Sequence, residues 1–337
     1  MLSTDRTILE DGTSSQSRMR SYGTICESLF VVIAGVGKER RVQLSENVTA
    51  VYPGGGSKVI NFFRILYLSR TLGADVISAQ DPLWTGLIAV LSGKKAIQIQ
   101  IHTDTWGWVG TILAPYVLRR ATGVRVVSAR IKEKAARLTK APIAVLPIFI
   151  DVGTYATELP CPPEYGPHPR LLVVGRLAPE KRVHLTIEAL TGIPEAHLYI
   201  VGDGPLRANL ESRAKKLGVH DRVHFIGWRN DVSAYYQHAN CFVLTSAFEG
   251  YGMVLVEAAL AGCPIVSTHV GVAPELPSDI VTITTGVQYD LVKAMQYALT
   301  PDRNVAAHKA AEHLRSTRGD FASYLTAYQQ LLQHCGT

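Results

Sequence analysis

One rhythm constrains this chain before any residue is singled out. Short β-rich runs alternate with helical patterns, stop at a proline-crowded segment, and start again. From about Phe30 the order is "LFVVIAG", "VINFFRILYLSRTLG", "ADVISAQ", "DPLWTGLIAVLSG" and "KAIQIQIH", the β/α alternation of a mostly parallel sheet. Asp81 before Pro82 reads as an N-cap with proline at the first helical position, and Ser128 precedes "ARIKEKAARL". Only Met1 to Thr4 are available for a first strand, so either that strand is very short or the start is clipped. The stop falls at "ELPCPPEYGPHPR", where Pro160, Pro162, Pro163, Pro167 and Pro169 exclude a helix or a central strand. Beyond it "RLLVVG", "AHLYIVG", "VHFIG", "CFVLT" and "PIVST" each lead into helical patterns. The expectation is an α/β chain of two domains, 1–158 and 159–319. An amphipathic segment at 320–337 is expected to cross back onto the first. Open α/β sheets bind ligands at the carboxyl ends of their strands, so the expected site lies there, in a cleft between the two sheets.

Composition narrows the function classes. The five cysteines, Cys26, Cys161, Cys241, Cys263 and Cys335, are odd in number and form no C-x-x-C or Cys/His cluster at metal spacing. That argues for a reducing compartment and against structural zinc or a disulfide framework. No apolar run approaches the ~20 residues of a membrane span, and "MLSTDRTILEDG" lacks the pattern of a secretory leader. The expected location is cytoplasmic, with peripheral attachment to the inner face of a membrane as one option. Residues 1–160 hold 19 Lys and Arg against 12 Asp and Glu, so the whole net charge of +6 lies in the first half. Between Arg119 and Lys140 eight basic residues face only Glu133, just after Trp106 and Trp108. Two readings stay open: an anionic membrane surface, or a solvated basic helix face. Nucleic acid is disfavoured, because the basic region contains no recognised binding module.

Candidate residues cluster at strand ends. "GVGKER" and "PGGGSK" lack the spacing of phosphate loops and read as turns. In "VVGRLAPEKRVHL" a strand ends at Gly175, and Arg176 and Lys181 flank a loop before a helix whose free amides also favour an anion. "VGDGPLR" places Gly202 in a second turn of the same kind. "FEGYGMVLVEAALAGCPIV" puts Glu249 and Glu257 into one of the most apolar runs of the chain, where bare carboxylates are costly. With Glu249 in a loop and Glu257 a turn into the helix, both can face ligand. The intervening Gly-Tyr-Gly lets backbone amides approach closely. A carboxylate accepts two hydrogen bonds and so suits vicinal hydroxyls. Cations for a diphosphate with carboxylates for sugar hydroxyls describe a nucleotide sugar.

From Leu171 to Glu275, "GRLAPEK", "VGDGPLR", "VHFIGW" and the E-x7-E pattern "EGYGMVLVE" stand in order, and this half resembles the donor domain of the retaining glycosyltransferases of family four. The resemblance implies a GT-B fold, two doubly wound Rossmann-like domains facing each other across a cleft. It implies that Arg176 and Lys181 hold the donor diphosphate, that Glu257 takes the ribose, and that Glu249 with the amides of Gly252, Met253 and Val254 holds the transferred sugar. It also implies that Gly202 borders the donor and that His102, in "IQIHTDT", reaches the donor sugar. "TDRTILEDGTSSQSRMR" and "AQDPLWTGL" resemble first-domain loops of the family, with Gly12, Thr13 and Asp81 on the acceptor side. No metal and no cofactor are implied; a UDP-, GDP- or ADP-sugar is the co-substrate, and a glycan or lipid-linked molecule the acceptor. The chain departs from the family at "LPIFID", at the short segment after "IHTD", and after "GVAPEL". Two other functions fit the architecture: a sugar-nucleotide 2-epimerase, which needs no acceptor, and a non-catalytic sugar-nucleotide-binding protein.

Overall fold

The computed structural model describes residues 1–103 and 107–336. The chain forms two compact units, Met1–Phe149 with Phe321–Thr337, and Ile150–Asp320. The division falls ahead of the prolines, which all lie in the second unit. In chain order the first unit holds β1 (Leu2–Ser3), α1 (Ser14–Gly23), β2 (Leu29–Ile33), β3 (Arg40–Ser45), β4 (Val48–Tyr52) and α2 (Lys58–Thr71). It continues with β5 (Val76–Ala79), α3 (Trp84–Leu91), β6 (Ala96–Ile101), α4 (Gly107–Leu118), β7 (Gly123–Val126), α5 (Ala129–Ala136) and β8 (Ile143–Val145). The second unit holds α6 (Gly153–Ala156), β9 (Arg170–Val174), α7 (Val183–Ala189), β10 (His197–Val201), α8 (Arg207–Lys216) and β11 (Val223–Gly227). After these come α9 (Ser233–His238), β12 (Cys241–Leu244), α10 (Met253–Leu260), β13 (Ile265–Thr268), β14 (Val281–Thr284), α11 (Gln288–Ala298) and α12 (Pro301–Thr317). Helix α13 (Phe321–Gly336) returns to the first unit.

In the first unit the strands run β3-β4-β2-β1-β5-β6-β7-β8. Every pairing is parallel except the β3–β4 hairpin at the edge. The two-residue β1 sits in the middle: Leu2 pairs with Val32 on one side and Ala79 on the other. In β6 the alternation of "AIQIQI" sends Ile97, Ile99 and Ile101 to one face and Gln98 and Gln100 to the other. All five are buried, so the polar face requires partners. Helix α13, packed over β5, β6 and β7, supplies them. Gln100 donates to Tyr328 Oη and Ser78 Oγ, both at 2.8 Å, and Ser78 Oγ donates to Gln98 Oε1 at 2.7 Å. Arg125 donates to Gln100 Oε1 at 2.9 Å and to Tyr324 Oη at 2.8 Å. Two tyrosines four residues apart on one helix face thus close a polar core that the sheet alone leaves open.

In the second unit all strands are parallel, in the order β11-β10-β9-β12-β13-β14. Leu171, Val173, Leu198, Ile200 and Val243 pack with Ile187 and Leu291 of the covering helices. At the amino ends of β9, β10 and β11 three imidazoles meet. His168 stacks on His197 with ring centroids 4.1 Å apart, and His197 Nδ1 lies 2.9 Å from His224 Nε2. That hydrogen bond needs one donor and one acceptor, so at least one of its two rings is neutral. Burial lowers the pKa of both, reinforced at His197 by His168, His224 and Arg222 and at His224 by His168.

Unfolding frees these rings to bind protons at their ordinary value. Their contribution to stability is therefore full above the unfolded-state pKa of about 6.5 and is lost as pH falls through the window below it. The urea midpoint of the wild type should drop between about pH 7 and pH 5, and His224→Gln should flatten that slope. Equal slopes in the two proteins would show that the cluster does not govern acid stability.

Candidate functional site

In the second sheet the chain lays down β9, β10 and β11 in one direction and then places β12 on the far side of β9. Loops leaving the carboxyl ends of β9 and β12 therefore diverge, which is where open α/β sheets bind ligands. Arg176 and Lys181 follow β9, and Glu249 follows β12. Arg176 and Lys181 border one small depression with Gly175 and Thr245.

The two loops are tied together by charge. Lys181 Nζ lies 2.6 Å from Glu249 Oε1, and Ser246 Oγ donates to the same oxygen at 2.6 Å. The next residue, Arg182, is the only non-glycine residue with a left-handed backbone among those described, at φ 47°. Side chains resist that conformation, and it persists only where surrounding contacts hold it. Its guanidinium donates to the carbonyls of Thr245 at 2.8 Å and Ser246 at 3.0 Å. Thr245 Oγ1 donates back to the carbonyl of Arg182 at 3.0 Å, and Ala247 N donates to Glu180 O at 2.7 Å. Arg182 and Ser246 escaped the sequence reading; the run Glu180-Lys181-Arg182 was the signal available for the first, and Ser246 had none.

Helix α10 opens at Gly252, whose φ of 81° suits glycine, and no side chain caps it. The amides of Met253 and Val254 thus stand at an uncapped helix start. One turn on, Glu257 is half-buried and accepts a hydrogen bond from Tyr236 Oη on Oε2 at 3.1 Å. Burial raises its pKa, and that hydrogen bond only partly opposes the shift. Among the described residues no cation pairs with it. This answers the question of carboxylates in an apolar run. Glu249 is held by a lysine and a serine; Glu257 has one tyrosine and an oxygen to spare.

Other expected positions fall out differently. Arg176 is exposed, and its guanidinium makes no hydrogen bond among the described residues. Gly202 is a packing residue: a Cβ there would lie 2.0 Å from the carbonyl oxygen of Gly175, so glycine lets the β9 and β10 turns touch. It supports the loop carrying Arg176. Helix α3 starts at Trp84, later than Asp81-Pro82 suggested. Asp81 spends its carboxylate on the turn before it, accepting from Leu83 N at 2.8 Å and Thr85 Oγ1 at 2.7 Å. Thr13 caps α1, its Oγ1 accepting from Gln16 N at 3.2 Å, and Gly12 forms the exposed left-handed turn before it, at φ 78°. All three thus take part in local structure. His102, at the end of β6, lines a cavity of the first unit with Arg18 and Arg125. Burial, then Arg125 and Arg18, push its pKa down to about 3, so it is a neutral imidazole at physiological pH. Trp106 lies outside the described residues. Among those described, no group of three or more His, Cys, Asp or Glu could hold a metal ion.

Residues 162–312 match the family model described as glycosyl transferases group 1. LpsE, a lipopolysaccharide core biosynthesis glycosyltransferase of Rhizobium meliloti strain 1021, is 38% identical over 101 residues, 30% of this chain and 30% of its own length. The lipopolysaccharide glucosyltransferase WaaG of Escherichia coli K12 is 41% identical over 105 residues, 30% of this chain and 28% of its own length. The chain thus matches less than a third of the length of either curated relative. Across the whole chain, the crystal structure of Anabaena HepE in complex with UDP-glucose superposes with a TM-score of 0.75 at 19% identity, covering 98% of each chain. The crystal structure of WaaG gives 0.72 at 18% identity over 94% of this chain and 95% of that one. The fold is the GT-B architecture of two Rossmann-like domains, and the family match falls within the second unit.

Glu257→Gln separates a binding role from a structural one. The amide keeps the size and the acceptor for Tyr236 while removing a charge that burial disfavours. The variant should unfold at higher urea than the wild type at pH 7, and should bind a nucleoside diphosphate at least tenfold more weakly, about 1.5–3 kcal/mol. Lower stability with unchanged nucleotide binding would make Glu257 a structural residue.

Proposed function

We propose that the chain is a retaining glycosyltransferase that moves a sugar from a nucleotide diphosphate sugar to the hydroxyl of a glycan or lipid-linked acceptor. The observation that carries this reading is the partly buried Glu257 carboxylate, left without a cation among the described residues one turn into a helix whose start is uncapped, in the same unit as the strand-end loop that carries Arg176 and Lys181. Ribose hydroxyls donating to Glu257 relieve its desolvation, and the diphosphate meets the two cations. UDP and UDP-glucose bind HepE, which shares the fold, and this favours a UDP-sugar as donor.

In the reaction the bond from the anomeric carbon to the diphosphate oxygen breaks, and a bond to the acceptor oxygen forms on the same face. The acceptor proton passes to the departing phosphate oxygen. Charge grows on the diphosphate as it leaves, so pre-placed donors count most there. Arg176, free of other partners, and Lys181, released from Glu249 as the phosphate draws near, supply them. Glu249 then turns its carboxylate to the hydroxyls of the transferred sugar. His102, in the first unit, is held neutral, which suits a hydrogen-bonding group and not an acid.

A peripheral position on an anionic membrane, on its cytoplasmic face, fits the first unit, and unpaired thiols at all five cysteines fit a reducing compartment. Helices α2, α3 and α4 pack side by side and expose Phe63, Tyr67, Trp84, Trp108 and Ile112, with Trp108 80% exposed. Lys58, Arg64, Arg70, Arg119 and Arg120 lie exposed in or just after these helices, which contain no acidic residue. Aromatics ringed by cations suit anionic lipid, whereas a second copy would bring like charges together. No helix among the described residues is long and apolar enough to cross a membrane.

Two measurements test this function. Arg176→Ala and Lys181→Ala should each lower turnover of a UDP-sugar by about 10²–10³; Arg176→Ala should leave the unfolding free energy within a few tenths of a kcal/mol, whereas Lys181→Ala, which strands the Glu249 carboxylate, should also lower it. A double variant turning over at the wild-type rate would remove the diphosphate assignment, and turnover of the nucleotide sugar to an isomer without acceptor would make the enzyme an epimerase. With anionic vesicles the protein should sediment at low salt and be released as salt rises. Phe63→Ser with Trp108→Ser should abolish sedimentation even at low salt; full recovery of the wild type in the supernatant would count against membrane docking.

A further inference from the structure

Under the polar face of the first sheet lies a cavity of about 140 Å³ lined by Asp5, Arg18, Gln100, His102, Arg125 and Tyr324 among others. Its electrostatics are lopsided. Arg125 is 3% exposed, yet each of its hydrogen-bond partners is neutral: Leu146 O at 3.0 Å, Pro147 O at 3.1 Å, Gln100 Oε1 and Tyr324 Oη. Among the described residues no carboxylate pairs with this buried guanidinium, an expensive state whose usual remedy is a counter-charge. Arg18, half-buried on α1, donates to nothing among the described residues. The one carboxylate in the lining, Asp5, is turned to its own loop. Oδ1 accepts from Thr7 N at 3.0 Å and Thr7 Oγ1 at 2.6 Å, and Oδ2 accepts from Ser15 Oγ at 2.7 Å. Among the described residues the lining therefore holds two guanidinium groups against one carboxylate, Asp5, on which Arg18 also acts electrostatically, with His102 kept uncharged beside them.

We infer that this cavity is an oxyanion subsite, and that the acceptor carries a phosphate or carboxylate group which docks there against Arg18 and the field of Arg125. The inference rests on the glycosyltransferase reading only for the word acceptor; the anion site stands on the cavity itself. Arg18 supplies the direct contact, because its five N–H groups are unspent and its planar fork matches an oxyanion bidentately. Arg125 has used most of its donors and acts mainly as fixed charge. Neutral His102 and the tyrosine hydroxyl add hydrogen bonds without adding charge. An uncharged sugar acceptor would leave the excess positive charge uncompensated, so the subsite selects acceptors by charge.

The test uses inorganic phosphate and the full chain. Thermal unfolding is followed with phosphate titrated at constant ionic strength against chloride, in an Arg176→Ala/Lys181→Ala background that removes the competing phosphate contacts of the second unit. Phosphate should raise the melting temperature in a saturable manner, since a ligand of the folded state stabilises it. Adding Arg18→Gln should abolish the rise, and Arg18→Lys should restore part of it. No rise in the background, or the same rise with Arg18→Gln, would overturn the subsite. Acetate in place of phosphate reports which oxyanion is held: a rise with phosphate alone assigns a phosphate ester, and a rise with acetate at similar concentration assigns a carboxylate. UDP binding to the wild type is measured alongside. If UDP binds and the Arg18-dependent rise is absent, the subsite fails while the donor reading stands. If the rise is present and UDP does not bind, the anion site stands and its ligand is no longer an acceptor.

Discussion

Everything in the second unit's site turns on one backbone residue held where side chains resist going. With Arg182 at φ 47° the chain leaves the loop after β9 in a direction that sends Lys181 toward Glu249 and Arg182's own guanidinium onto the carbonyls of Thr245 and Ser246. Those contacts stitch the loops of β9 and β12 at the one place where the strand order reverses. A left-handed arginine is tolerated because the two carbonyl bonds and the return bond from Thr245 outweigh the local strain. The glycines at 175 and 202 do the same work by a different route, removing side chains so that two turns can touch.

Three charged or titratable groups show how burial assigns roles. Glu257 is pushed toward its neutral form and gains most from a ligand that brings hydroxyl donors. His102 is kept neutral by burial and by two neighbouring arginines. Arg125, which cannot shed its proton, is left as a standing charge surrounded by carbonyl and hydroxyl oxygens. In each case the chain accepts an unfavourable state near a place where a ligand could make it favourable, a common signature of binding sites.

Much of this was legible in the letters. The β/α rhythm, restarting after the prolines, announced two sheets, and the paired glutamates announced a polar edge in an apolar run. The two-residue β1 was legible only as a shortage of chain, because a strand of Leu2 and Ser3 has no periodicity of its own and exists by pairing on both sides. Asp81 and Thr13 are engaged in local structure, because short polar side chains at helix starts are claimed first by backbone amides. Gly202 packs against Gly175, a contact the sequence does not show, since it gives a glycine but not what fills the space beside it. The exposed face of α2 was hidden, because "VINFFRILYL" has the look of a buried helix and only the structure shows Phe63 and Tyr67 facing outward. The pairing of Lys181 with Glu249 joins positions far apart in the chain, and no local pattern encodes it.

The return of α13 to the first unit has a consequence for how the protein is made. Tyr324 and Tyr328 complete the hydrogen bonding of Gln100 and Arg125, yet they emerge from the ribosome after the whole of the second unit. The first sheet must wait, its polar face incompletely satisfied, while a complete domain is synthesised and folds ahead of it. Closing that long loop costs only slowly growing entropy, but it delays the contact, and the waiting face is where chaperones and misfolding would compete. The order of maturation is therefore the reverse of the order of synthesis: the unit made second is finished first.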